Sequence, residues 1–178
     1  TAKEAGMAFE RNVLKSKYPV LTVFFEKMRT GNGSMEKYNS KSILAKTIAQ
    51  SNGIKDILVS LRDEDFDKDT NSVLKRIDIN FAKTEKGGAW SDLGASVGRM
   101  AARLKVIKHG DYYDVKLLGF DRSNYEYKED ASDIKDKWIR WANNFFYDLQ
   151  QQGLITPFSF EVTSNFYFNK SNGKVYTK

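Results

Sequence analysis

The 178-residue sequence predicts an α+β fold, with N-terminal helices followed by an antiparallel β-sheet built on a long hairpin and covered by an aromatic-rich helix. Three observations carry that expectation. Apolar residues recur at helical spacing as far as Leu61, alternate with polar residues from about Val73 onward, and return to spacings of three and four between Ile134 and Leu149. Residues 1–65 form the helical part and residues 72–178 the α+β part. The length suits one compact unit holding both.

The elements follow in order. Ala5–Leu14 has a weak helical pattern through Met7, Phe9 and Val13. Pro19 suits a first helical turn, and Val20, Val23, Phe24 and Met28 then share a face. Thr30–Ser34, "TGNGS", is a glycine-rich break. Asn39 or Ser40 is expected to cap a longer helix carrying Ile43, Leu44, Ile48, Ile54, Ile57, Leu58 and Leu61, interrupted at Gly53. A polar, acidic loop over Arg62–Asn71 separates it from the strands. Ile77, Ile79 and Phe81 alternate with Arg76, Asp78 and Asn80. In Arg99–Ile107, Met100, Ala102, Leu104 and Val106 face one way, and Arg99, Arg103 and Lys105 the other. "KHGD" turns at Gly110 into a return strand that begins with Tyr113, Val115 and Leu117. Trp138, Trp141, Phe145, Phe146 and Leu149 give the next helix an aromatic face expected to lie in the core, and Gly153 stops it. Phe158, Phe160 and Val162 restore strand alternation.

Composition removes whole classes of chemistry. There is no cysteine, which excludes disulfides, thiol nucleophiles and cysteine-ligated metal centres. The single histidine, His109, excludes multi-histidine metal sites. No stretch approaches the roughly 20 apolar residues that span a bilayer, so no transmembrane segment and no pore-forming apolar hairpin is expected. A formal net charge of +6 favours approach to anionic surfaces such as lipid headgroups, lipopolysaccharide or nucleic acid. The chain starts at Thr1 with no signal-peptide pattern, which suggests that an upstream segment is missing.

The densest ionisable stretch is "LGFDRSNYEYKED", residues 118–130, at the end of the return strand. Two readings stand there. One is a solvated rim joined to the acidic first turn of the following helix, which general physics favours. The other is a site in which Asp121 and Glu126 hold Mg²⁺ through oxygen and Arg122 grips phosphate, with Tyr125 beside them. His109 reads as a turn histidine, or alternatively as a general base. The glycine pairs in "GNGSMEK" and "EKGGAW" lack P-loop spacing and read as turns. Tyr112, Tyr113, Tyr125 and Tyr127 could stack on single-stranded nucleic acid, but no RNA-recognition signature accompanies them.

Asp92–Asp130, "DLGASVGRMAARLKVIKHGDYYDVKLLGFDRSNYEYKED", resembles a hairpin found in Gram-negative bacteriocin (colicin) and polymorphic-toxin domains, distantly of the colicin M type. Leu93-Gly94, Gly98-Arg99 and the Tyr125-Glu126-Tyr127 triplet carry the resemblance. Ser123 stands where that family has its first aspartate, and Ser132-Asp133 where it has His-Arg. The resemblance implies a toxin secreted by its producer and acting in the periplasm of a related bacterium. Its partners would be an outer-membrane receptor, the energy-coupled import machinery and a cognate immunity protein. It further implies a Mg²⁺-dependent hydrolase or phosphodiesterase attacking peptidoglycan or its lipid-linked precursor, with Asp121, Arg122, Tyr125 and Glu126 near the centre. The alternative expectation is a non-catalytic receptor-binding or interaction module of a toxin. A nuclease toxin relying on His109 ranks third, and nucleic acid is accordingly not the expected partner.

Overall fold

The computed structural model describes Ala8 and residues 15–123, 125–126 and 137–178, without the side chains of Arg122, Trp138 and Ile139. The helix expected over Ala5–Leu14 lies outside the described residues, apart from Ala8.

Helix α1, Pro19–Thr30, begins with Pro19 in its first turn and buries Val20, Phe24 and Met28, four residues apart, along one stripe. The N-terminal donors of α1 are met from far along the chain. The Asp92 carboxylate accepts from the Val20 and Leu21 N–H groups, each at 2.9 Å. Burial pushes the Asp92 carboxyl above its ordinary value, and those two donors oppose the shift. Two helices then replace the single long one expected: α2, Ile43–Ala49, and α3, Asn52–Ser60. Serines begin both. Ser42 Oγ accepts from Ala45 N at 3.1 Å, and Ser51 Oγ accepts from Ile54 N at 3.3 Å. Gly53 therefore sits inside a helix rather than breaking one. A Cβ there would come within 2.6 Å of Ile79 Cγ2, so the glycine allows α3 to approach the sheet closely.

The sheet has six strands: β1 Glu36–Tyr38, β2 Ser72–Asn80, β3 Arg99–His109, β4 Tyr112–Ser123, β5 Phe158–Asn169 and β6 Val175–Thr177. The spatial order is β1-β5-β4-β3-β2, with β6 also paired to β5. The long hairpin forms as its alternation predicts, His109 pairing with Tyr112 across Gly110, whose φ of 54° suits the first place of a tight turn. The sheet is mixed rather than wholly antiparallel, because β1 lies parallel to β5 over Phe160–Val162. Between β2 and β3 the chain makes two short helices, α4 Phe81–Thr84 and α5 Asp92–Ser96, and Asp92 stands at the start of the second.

One face of the sheet forms the core. Met100, Leu104, Val106, Val115, Leu117, Phe158, Phe160, Phe166 and Phe168 are buried there with α1 to α3 over them. Phe24 of α1 meets Phe158 and Phe160 at 5.2 and 5.0 Å between ring centroids, and Ser164 Oγ donates to the Ala45 carbonyl of α2 at 2.8 Å. The cover of the sheet thus comes from the N-terminal helices. The aromatic helix, α6 Lys137–Gln151, uses Phe146 to meet Phe25 of α1 at 5.6 Å and Tyr125 at 5.0 Å. Its expected core face is divided: Phe146 and Leu149 pack, partly buried, against the core, while Trp141 is 63% exposed and Phe145 48%. The two rings stack on each other at 5.8 Å.

Candidate functional site

Asp121 is half-buried and in register with Phe160 at the end of β4. The Arg122 backbone pairs with Ser159, and its side chain lies outside the described residues. Tyr125 stacks on Phe146 with planes 20° apart, and its main chain is held on both sides by Gln150: the Tyr125 N–H donates to Oε1 at 3.0 Å and Nε2 donates to the Tyr125 carbonyl at 3.2 Å. Burial pushes its phenol up to about 12, which suits a packing residue better than a proton acceptor. Glu126 is exposed, and its carbonyl accepts from Asn143 Nδ2 at 2.7 Å. Helix α6 therefore fixes the chain as it leaves β4.

His109 is remote from all of these. It pairs with Tyr112, nine residues before Asp121, and extended chain covers about 3.3 Å per residue, so roughly 30 Å separates them. Among the described residues no three acidic or imidazole side chains gather as metal ligands. The acids that follow Glu126, namely Glu129, Asp130, Asp133 and Asp136, lie outside the described residues, as does Tyr127.

The other face of the sheet holds a more coherent chemistry. Strand alternation that buries Met100, Ala102, Leu104 and Val106 turns Arg103 and Lys105 outward, and the same rule turns out Arg76 on β2 and Lys116 on β4. The register places these side chains in two adjacent rows. Arg76, Arg103, Leu118 and Thr163 form one; Leu74, Lys105, Lys116 and Asn165 form the other. Arg76 is directly opposite Arg103, and Lys105 directly opposite Lys116. Like charges placed so raise the free energy of a sheet by about 0.2–1 kcal/mol per pair. Neither row contains an acid. The nearest carboxylates on this face are engaged, Asp78 with Arg99 at 3.2 Å and Asp114 with Lys178. Side chains from these rows line a shallow trough of about 710 Å³.

One row further toward the hairpin turn the face becomes aromatic. Tyr112, Tyr167 and Tyr176, each about two-fifths exposed, surround a cleft of about 490 Å³ with His109 and Asp114. The Lys178 ammonium lies 4.7 Å from the centre of the Tyr167 ring while it pairs with Asp114. Sequence periodicity alone finds Arg103 and Lys105 here. Arg76, Lys116, Tyr167 and Tyr176 join them only through the strand pairing, so their convergence is a tertiary fact. The chain matches no protein-family model, no curated protein and no solved structure.

Proposed function

We propose that this chain is the interaction module of a bacteriocin-type toxin, and that it engages an anionic component of the target envelope through the open face of its sheet. The toxin class rests on the resemblance of Asp92–Asp130. The mode of action rests on one observation: four cations, Arg76, Arg103, Lys105 and Lys116, occupy two neighbouring rows with like charges opposed and no acid between them. A free sheet gains nothing from that arrangement. An anion laid across the rows turns the mutual repulsion into shared attraction. Leu74, 76% exposed, and Phe120, 42% exposed, border the cations and suit contact with a lipid surface.

This reading keeps the expected partners of such a toxin, an outer-membrane receptor, import machinery and an immunity protein, and an action in the target periplasm. It places binding ahead of catalysis, because Tyr125 serves packing and His109 is some 30 Å from Asp121. A Mg²⁺-dependent hydrolase centred on Asp121, Arg122 and Glu126 is the second reading, favoured by the half-buried carboxylate of Asp121 at the strand end.

Vesicle co-sedimentation separates the possibilities. Phosphatidylglycerol vesicles should retain the protein and phosphatidylcholine vesicles should not, with retention falling as salt rises. Each basic residue near an anionic surface contributes about 1 kcal/mol, so Arg103→Ala with Lys116→Ala should weaken retention about thirtyfold. Equal retention by both vesicles would end this reading. On sensitive Gram-negative cells, Asp121→Ala with Glu126→Ala should leave killing intact. Loss of killing by that folded double variant would restore the hydrolase, and nucleic-acid breakdown with an intact envelope would favour the nuclease.

A further inference from the structure

The cation rows and the tyrosine cleft are continuous. Lys105, Lys116 and Asn165 lie in the row next to Ile107, Asp114, Tyr167 and Tyr176, on the same side of the sheet. A strand advances about 6.6–6.8 Å per two residues, so one molecule of modest size reaches from the cleft to the cations. Resting on the proposed envelope-binding role, we infer that the ligand of this face is a phosphorylated glycan, with sugar rings in the tyrosine cleft and phosphate on the cation rows.

Each part of the surface has the chemistry that such a ligand needs. Aromatic faces are electron-rich and attract the weakly positive C–H edges of a pyranose. Three tyrosines supply these faces, and Tyr112 and Tyr176 lie 6.3 Å apart between centroids with planes at 58°, which makes a corner rather than a flat stack. Asp114, His109, Asn165 and Thr163 offer acceptors and donors to hydroxyl groups around and beside the cleft. A carboxylate near a phosphate site would ordinarily repel the ligand. Here Lys178 pairs with Asp114 and cancels its charge at the junction of cleft and rows. The cleft volume of about 490 Å³ falls within the usual range for small-molecule sites. A bare phospholipid headgroup would satisfy the cations and leave the tyrosines without a role.

The test compares two surfaces of equal charge. Vesicles carrying core-type lipopolysaccharide, a phosphorylated glycolipid, should bind at least tenfold more tightly than phosphatidylglycerol vesicles matched in surface potential. Tyr167→Ala should remove this preference and keep phosphatidylglycerol binding. Tyr176→Ala on the short β6 provides the same readout should the first variant unfold, with circular dichroism reporting the fold. Arg103→Ala with Lys116→Ala should weaken binding to both surfaces. Equal binding to the two vesicles, or a preference that survives both tyrosine variants, overturns the glycan assignment and leaves the anionic-surface reading standing. Binding to neither defeats both. Displacement of the protein from either vesicle by single-stranded DNA at lower concentration than by the lipopolysaccharide core oligosaccharide also overturns it.

Discussion

Tyr125 shows at the scale of one residue how position overrides chemical type. Its sequence setting, beside Glu126 in a charged stretch after a strand, suits a reactive phenol, yet its ring is stacked on Phe146 and burial holds its proton. The consequence for stability has a definite sign. The folded phenol titrates at about 12 and the unfolded one at 10.0, so below pH 10 both states keep the proton and the residue adds no pH dependence. Between 10 and about 12 the unfolded state loses its proton first, and stability declines as pH rises through that window. Burial raises Tyr38 and Tyr113 as well, so titration at 295 nm should show a late-ionising group of tyrosines that shrinks by one residue in Tyr125→Phe, and that variant should unfold less steeply with alkali. A Tyr125 that ionised with the exposed tyrosines would contradict the packing described for it.

At the scale of elements, the open face of β2, β3 and β4 combines a local cost with a binding surface, and one substitution separates the two. Arg103→Glu changes a repulsive pair with Arg76 into an attractive one, which should stabilise the free protein by about 0.2–1 kcal/mol or more in urea unfolding. The same variant should lose anionic-vesicle binding. A substitution that stabilises and disables together is the signature of a surface kept for a ligand. These strands were also the most legible part of the sequence. Period-two alternation marks β2 to β5, since one face of each is buried against helices and the other is not. The rest was hidden for physical reasons. Strand β1, Glu36-Lys37-Tyr38, is three residues long and exists through its pairing with Phe160–Val162, which nothing local announces. The helix break at Gln50–Ser51 is marked only by Ser51, while Gly53, the stronger break signal by residue type, serves the approach to Ile79. Helix α6 has the pattern of a core helix and partly buries Phe146 and Leu149 but leaves Trp141 and Phe145 exposed, since periodicity records which side chains share a face and not what all of that face meets. For the same reason the sequence points first to the strand end. Charges adjacent in sequence are visible there, while Arg76, Arg103, Lys105 and Lys116 become neighbours only once the strand register is known.

At the scale of the whole molecule, β5 holds the parts together. It pairs with β4 along one edge and with β1 and β6 along the other, and its Phe158 and Phe160 receive Phe24 from α1. Residues on both sides of the acidic Arg62–Asn71 loop therefore share one core. A chain ending at Pro157 should lack cooperative unfolding in urea and lose its near-ultraviolet circular dichroism, because four of the largest buried side chains, Phe158, Phe160, Phe166 and Phe168, go with the strand. A sharp, native-like transition in that truncated chain would show that the N-terminal helices and the hairpin suffice alone. The central position of so late a strand also dictates timing. During synthesis the ribosome releases α1, β1 and the hairpin before the segment that joins them, so the growing polypeptide must wait, open and threadable, until residues 158–169 emerge and the pieces lock at once.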